Sequence, residues 1–521
     1  YSLTTGDNQV WSLNTSQKRW TVGDSVDAAG LIRNAIPFAS LGDTRVRTTG
    51  STLGTSSLGR GFDGSTNLVV QTQYARSDAA YLASGIDARL IEARARSGYF
   101  VAARPRRLPE PEPSRPPVAS LDVDVSAMAS EVMRLATTED HISFGAACPT
   151  ADLFDEERVR RAVSRATQRH RSTLCQYPLG PGDESLRRAV ARHTLRMGCG
   201  HEAKDIVITN SCLESISLCL RAVTKPGDVV ALESPTYFGL LEIVENLHLR
   251  ALEIPTHPRT GMSVDALQLA FDTQPVKAVL IVPTLSNPLG ACMPLAERKR
   301  LAQMVAERGI PLIEDVLYND LVEQEDKRRA VASFDPSGHV MLCGSFSKTI
   351  APGLRLGWVA PGRWLDKLSR MKATTSGGQA VILERALADL LTQPGIEAGY
   401  RALRSTIAAR VDEARDLIAR HFPKGSKVTD PPGGYILWVE LPEGVDSMAL
   451  YRACLAERIC IAPGTMFSAT DRYRRFIRLG VGGRWDDAQR AGLKRVGALA
   501  CGLAQAPAAQ GSAEPPRWVT D

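Results

Sequence analysis

No stretch of about 18 consecutive apolar residues occurs in the 521-residue sequence, so nothing in it reads as a membrane-spanning helix. No basic-then-apolar leader opens it, and a cytoplasmic location is therefore expected. The ten cysteines form no Cys-x-x-Cys pair and no Cys/His cluster. That pattern supports neither a zinc or other metal site nor a disulfide framework, and the cysteines read as reduced thiols in core positions. An excess of one charge is also missing. The 63 Lys and Arg against 57 Asp and Glu leave only +6, which implies no nucleic-acid partner by itself. Glutamate is absent until Glu92. What is present, 44% hydrophobic and 23% charged residues, excludes general disorder, a fibrous repeat and a coiled coil, and the length exceeds one domain.

Residues 1–88 are rich in Ser, Thr, Gly and Asn, and no helical periodicity is legible in them. The sequence begins at Tyr1 rather than Met, so residues 1–103 are expected to be a fragment, degenerate, or partly read out of frame. From Leu90 the character changes. Leu90 to Arg94 alternates, Ser97-Gly98 supplies a turn, and Tyr99 to Val101 alternates again, which gives a hairpin with Arg94 and Arg96 at its tip. Arginines there suit phosphate or minor-groove contacts, and equally a solvated charged turn. Residues 104–117 carry six prolines and read as an extended, semi-rigid linker, 104–118. Over 119–383 short apolar strands (229–232, 277–282, 310–313, 340–343, 356–359) alternate with amphipathic helices such as 183–195 and 297–307. This is an α/β pattern, a mostly parallel sheet covered by helices on both faces. Residues 384–504, with strands at 435–439 and 476–479 and a last helix near 485–503, form a smaller α+β domain. The Ala/Pro/Ser-rich tail 505–521 is expected to be disordered.

The chemistry-bearing residues fall at strand ends. Ser345-Phe346-Ser347-Lys348 follows an apolar strand, and Pro352-Gly353-Leu354-Arg355-Leu356-Gly357-Trp358 comes next. Alone, Lys348 fits a solvated loop lysine. With two hydroxyls and a guanidinium around it, it becomes an amine beside a dianion cradle, the combination pyridoxal phosphate requires. Asp315, in Ile313-Glu314-Asp315, stands where a parallel sheet opens into its crevice. Its carboxylate can keep a pyridine nitrogen protonated, or simply cap the turn at Val316. Asn287, in the rigid Ser286-Asn287-Pro288-Leu289-Gly290 turn, can donate to a phenolate oxygen. Cys212 and Leu213 open a helix whose free amides suit a phosphate. Tyr237, in Pro235-Thr236-Tyr237, can stack on a flat ring or fill the core.

SFSKTIAPGLRLGW, supported by YPLGPGDESLR, ESPTYFG, PTLSNPLG and IEDVLY, resembles the fold-type I pyridoxal-phosphate enzymes of the aspartate aminotransferase superfamily over about residues 120–500. The resemblance implies that Lys348 carries the cofactor as an internal aldimine and then shuttles a proton. It implies Asp315 as pyridinium partner, Asn287 and Tyr318 on the phenolate oxygen, and Tyr237 stacked on the ring. Ser345, Ser347, Arg355 and the backbone of Cys212 and Leu213 would hold the phosphate. Tyr177 would reach the phosphate of a neighbouring subunit, hence a homodimer. Arg478 would clamp the substrate carboxylate with a bidentate fork. Two departures stand out. Leu213 replaces a commonly polar residue, and Ala147 takes the place of a usual glycine, which would narrow the substrate pocket.

ARLIEARARSGYFVAARP resembles the wing that closes the winged helix-turn-helix domain of GntR-type repressors. Followed by a Pro-rich linker and an aminotransferase-like domain, it gives the layout of MocR-type regulators. The resemblance implies a DNA-binding head, a remnant in this sequence because the helices before the wing are not legible. It would be fused to a domain that senses an amino-acid or amine effector through aldimine formation. A working aminotransferase remains the alternative, and a β-lyase or decarboxylase using the same lysine is a third.

Overall fold

The structure, a computed structural model, describes residues 108–505 apart from 137 and 139, together with the backbone of short strands before residue 102. The chain divides into two units, Tyr1–Pro105 and Arg106–Asp521. In the first, strands Ile91–Arg94 and Gly98–Val101 pair antiparallel, with Glu92 opposite Phe100 and Arg94 opposite Gly98. Arg96 and most of residues 1–88 lie outside the described residues, as does the tail after Gln505.

The second unit is built on an eight-stranded sheet. Its strands are β1 (Val207–Thr209), β2 (Val229–Ser234), β3 (Arg250–His257), β4 (Gly261–Met262), β5 (Val276–Ile281), β6 (Leu312–Asp315), β7 (Val340–Ser345) and β8 (Gly357–Ala360). The order across the sheet is β4-β3-β2-β5-β6-β7-β8-β1, and only β4 and β8 run against the rest. The strands are continuous Val/Ile/Leu/Ala runs because helices cover both faces. Leu232, Leu280, Ile313 and Met341 belong to one buried cluster, while Ala231, Val279, Leu312 and Val340 belong to another. β2 and β7 extend two residues past their apolar runs, since Glu233 and Ser234 continue the ladder against Ile254 and Pro255, and Gly344 and Ser345 against Trp358 and Gly357. In the run at 310–313 the register starts at Leu312, and Pro311, which has no N–H to give, contributes only its carbonyl, which accepts from Val279 N–H (3.0 Å).

A boundary at 383/384 falls inside helix Val381–Thr392, which packs its Ile382, Ala386 and Leu390 with Ala162, Leu186 and Val190 of the large lobe. The chain turns at Gly395, in the left-handed region at φ 88°, into the long helix Ile396–His421. That helix and Asp487–Gln505 cover an antiparallel sheet of Lys427–Val428, Ile436–Glu440, Phe476–Gly480 and Ala462–Pro463. Residues from earlier in the chain join this lobe. Ile142–Ser143 pairs with Ile459–Cys460.

From residue 108 the Pro-rich segment is not a free spacer. Val428 N–H donates to Pro109 O (2.9 Å) and Asp430 N–H to Glu110 Oε1 (3.0 Å), both in the small lobe. Glu110 Oε2 accepts from Arg259 of the large lobe. Ser114 exchanges hydrogen bonds with Thr256 (3.0 and 2.8 Å), and Leu121 with Ala251 (2.8 Å each way). A sequence without ladder donors at its prolines cannot form a full edge strand, so it docks through its few N–H groups and side chains.

Candidate active site

The carboxyl ends of β2, β5, β6 and β7 and the amino end of β8 open on one cleft of about 800 Å3, mouth included. This is the place where parallel sheets of this kind bind ligands. Asp315 ends β6 next to Glu314, and the alternation of a strand sends the two carboxylates to opposite faces. Glu314 turns away to accept from Val331 and Ala332 N–H (2.8 and 2.9 Å). Asp315 lines the cleft, and its Oδ1 accepts from Leu317 N–H (2.8 Å) and the Cys212 thiol (3.2 Å). It thus caps the turn and faces the cleft at once. Burial pushes its pKa up to about 6, against the pull of those two donors and of Lys348.

The opposite end of the cleft is a cradle for an anion. Ser345 Oγ donates to Leu356 O (2.9 Å), accepts from Ser347 N–H (3.1 Å) and shares a hydrogen bond with Ser347 Oγ (2.8 Å). Helix Cys212–Val223 starts here, capped by Ser211 Oγ, which accepts from Glu214 N–H (3.1 Å). The amides of Cys212 and Leu213 lie in its first turn, where helix geometry provides no acceptor, so they are available to a phosphate. Leu213 is 38% exposed at the rim. Gly357 permits the approach of this helix start to β8, since a Cβ there would stand 2.4 Å from Ser211 C and 2.8 Å from Cys212 N. Arg355, held at φ 51°, completes the wall on the exposed side.

Between these ends stand an amine and a guanidinium. Lys348 Nζ donates to Ala147 O (2.9 Å) and lies 3.8 Å from Cys148 Sγ. Burial lowers its pKa, and the charges of Arg478 and Arg355 add to that against Cys148, which favours the neutral, nucleophilic amine. Arg478 is completely buried. Its Nη2 donates to Gly145 O and its Nη1 to Asn287 Oδ1 (3.4 Å), while Nε has no partner. The guanidinium lies over the rings of Phe467 (5.1 Å) and Phe238 (5.6 Å). A buried guanidinium held only by neutral groups is costly unless an anion completes it. Tyr318 packs edge-on to Tyr435 (6.2 Å), and burial raises its pKa far above normal. Tyr237 precedes helix Phe238–Asn246, and its pKa is pushed up to about 12, by burial first.

The cleft therefore gathers Lys348, Asp315, Asn287, Tyr318, Tyr237, Ser345, Ser347, Arg355, Cys212, Leu213 and Arg478. Tyr177 is not among them. It is 92% exposed, on a separate surface with Leu179 at 88%. Arg94 is part of a strand in the other unit, and Arg96 is not described. Sequence reasoning missed Met133, Cys148, Phe238 and Leu240 in the wall. It also missed the Ala147 carbonyl, which accepts from both Lys348 and the Tyr435 hydroxyl (3.3 Å). The available signal for that loop was Gly480, whose Cβ would stand 2.4 Å from Ala146 O. Among the described residues no group of three or more His, Cys, Asp or Glu is placed to hold a metal ion.

A buried guanidinium with an unpartnered Nε, free helix-start amides beside two hydroxyls, a lysine of lowered pKa and a buried carboxylate are the donor set that pyridoxal phosphate and an amino acid need. Comparison with known proteins agrees. The model of the family "Aminotransferase class I and II" matches residues 149–491. Two Escherichia coli proteins named as HTH-type transcriptional regulators, YjiR and YdcR, are 35% and 32% identical over 409 residues, each match covering 78% of this chain and 87% of the relative. Among solved structures, kynurenine aminotransferase of Pyrococcus horikoshii is 27% identical with a TM-score of 0.67, covering 73% of this chain and 95% of that one. α-Aminoadipate aminotransferase of Thermus thermophilus is 26% identical with a TM-score of 0.65, covering 73% and 99%. The cofactor of this fold is pyridoxal phosphate. The chain belongs to the class I and II aminotransferase family, on the branch of HTH-type transcriptional regulators that carry such a domain.

Proposed function

We propose that this chain is a pyridoxal-phosphate-dependent transcriptional regulator of the GntR/MocR type. In it an aminotransferase-like domain senses an amino-acid effector and a DNA-binding head responds. The observation that carries the sensing role is Arg478, a fully buried guanidinium with an unpartnered Nε that lines the same cleft as Lys348. Pyridoxal phosphate, when bound, supplies an aldehyde for amines and a ring that accepts electron density. This chain's own groups do the rest. Arg478 binds the effector carboxylate, ionised Asp315 holds a proton at the ring nitrogen, and Asn287 and Tyr318 orient the ring's phenolate oxygen. Ser345, Ser347, Arg355 and the Cys212 and Leu213 amides fix the phosphate. Lys348 Nζ, hydrogen-bonded to Ala147 O, is the amine that would hold the cofactor and, when free, would hold or move a proton.

The strap at 108–121 supports a route from the cleft toward the head. Glu110 is bonded to both lobes, Asp430 adjoins Pro431, and Pro431 sits against Gly290, where a Cβ would stand 2.5 Å away. Gly290 closes the turn that carries Asn287. A ligand that favours one lobe arrangement therefore moves the strap with it. Exposed Tyr177 supports a homodimer in which it completes the neighbouring phosphate site. The alternative, a working aminotransferase, is favoured by one observation: Lys348, the group that would move an α-proton, lies in the same cleft as Asp315, Asn287, Tyr318 and Arg478.

The test uses the full chain loaded with pyridoxal phosphate and genomic DNA fragments selected on it. An effector amine is expected to shift both the visible absorbance of the bound cofactor and the DNA affinity, and Lys348→Ala is expected to lose both responses. Rapid formation of 2-oxo acids without DNA affinity would establish the enzyme reading instead. An unchanged absorbance in Lys348→Ala would remove the lysine from its role.

A further inference from the structure

Resting on the reading above, we infer that Glu253 is a positioning residue for the carboxylate clamp. From β3 of the large lobe it ties down the small-lobe segment that carries Phe467, and Phe467 helps to set the Arg478 guanidinium. Arg478 donates to Gly145 O and, at 3.4 Å, to Asn287 Oδ1, and its guanidinium lies over the rings of Phe467 (5.1 Å) and Phe238 (5.6 Å). Those ring faces attract the cation, so their position bears on where it points. Phe467 is itself fixed where the lobes meet. Its ring is completely buried against Trp438 of the small lobe (centroids 5.2 Å apart) and Phe238 of the large one (5.8 Å). Its carbonyl accepts from Thr236 N–H (3.0 Å), beside Tyr237. The next two residues bind Glu253: Ser468 Oγ donates to Oε1 (2.6 Å), and Ala469 N–H donates to the same atom (2.7 Å). Three consecutive small-lobe residues are thus laced to the large lobe, two of them through one oxygen.

Glu253 is 3% exposed, and a carboxylate so buried is tolerated because donors surround it. Its other oxygen accepts from Ser234 Oγ (2.5 Å) at the end of β2, and the Tyr473 hydroxyl shares a hydrogen bond with that serine (2.9 Å). The strap docks on the same strand, since Thr256 exchanges hydrogen bonds with Ser114 and its Oγ1 accepts from Ser234 N–H (3.1 Å). Removing the carboxylate takes the acceptor from the Ser468 hydroxyl, itself 2% exposed, and from Ala469 N–H. Leaving such donors unmade is costly, so the segment shifts to satisfy them and carries Phe467 with it. A ligand's α-carboxylate, bound at Arg478, feels that displacement. Its amine, bound toward Lys348, does not. A carboxylate that served stability alone would affect both groups alike.

The test titrates the full chain, loaded with pyridoxal phosphate, with each protein-forming L-amino acid and with the amine left when its α-carboxylate is removed, such as L-leucine with 3-methylbutylamine. Visible absorbance of the cofactor reports the response. For each amino acid to which the native chain responds, Glu253→Ala is expected to weaken affinity at least about tenfold, while the paired amine changes by less than about twofold. Glu253→Gln keeps an oxygen for Ser468 and Ala469 and is expected to recover most of the loss. Ser468→Ala removes one of the two ties and serves should Glu253→Ala fail to fold, with a smaller loss confined to the amino acid. Equal weakening of amino acid and amine, or no weakening of either, overturns the positioning role while the native response leaves the reading beneath it standing. A native chain that responds to no amino acid removes this inference and that reading together.

Discussion

Replacing Asp315 with Asn separates what the carboxylate costs from what it does. Its Oδ1 accepts from Leu317 N–H and the Cys212 thiol, and an Asn Oδ1 can keep both bonds, so the turn after β6 survives. What changes is charge. In the folded chain without cofactor, burial first of all holds the Asp315 pKa at about 6, above its ordinary 3.8. As pH rises, the unfolded chain releases this proton first, and the folded state loses stability through that window. The full penalty is reached above pH 6 and amounts to about 3 kcal/mol. Roughly half of that loss falls between pH 5 and pH 8. Glu314 and Glu233, raised by burial to about 7 and about 8, add losses of the same sign, so the informative quantity is the difference between the variant and the native chain. Denaturant unfolding of both cofactor-free proteins at about pH 5 and about pH 8 should show that Asp315→Asn loses about 1.4 kcal/mol less across the interval. The same variant should hold pyridoxal phosphate more weakly, since no anion is left to keep the ring nitrogen protonated. Equal pH dependence in the two proteins, with unchanged cofactor affinity, would refute the placement of this carboxylate against the ring.

Gly357→Ala drives a methyl against Ser211 C and Cys212 N. It should cost about 1–3 kcal/mol in unfolding experiments and weaken retention of cofactor, read by equilibrium dialysis, because the helix start is pushed off the phosphate. Glu110→Ala should lower stability by no more than about 1–2 kcal/mol, since Arg259 is 66% exposed and its ion pair is screened. In that variant the Asp430 amide should exchange faster with deuterium, and DNA affinity should respond less to effector while cofactor absorbance is unchanged. Unaltered exchange at Asp430 would show that the strap is not held there.

The site was legible because its residues sit in short motifs directly after apolar strands. SFSK, IED and SNPLG each join a continuous buried run to a local turn, and local chemistry can be read locally. The sheet was legible for the same reason, while the helix read at 183–195 starts one residue later, with Asp183 as its cap. Contacts made by chain segments distant in sequence left no such mark. The Cys212–Asp315 bond spans 103 residues and the Lys348–Ala147 bond 201, and neither residue announces its partner. Proline composition showed that 104–117 is extended but could not show that Ser114 and Leu121 find acceptors on β3, which is a property of the fold. The sequence break read at 383/384 falls within helix Val381–Thr392, whose apolar pattern is like that of its neighbours, and the chain turns at Gly395, at positive φ.

The opposed directions of Glu314 and Asp315 have a consequence for how this chain can vary. One carboxylate is a rivet holding the 331–332 amides beneath the sheet, and the other faces the ligand. Because neighbours on a strand always point apart, sliding β6 by a single position would exchange them. The cleft would then receive a longer acid, and the rivet would be lost in the same step. The spacing from Gly309, which ends the preceding helix, to Leu312 therefore acts as a ruler. Insertion or loss of one residue there is a change of chemistry.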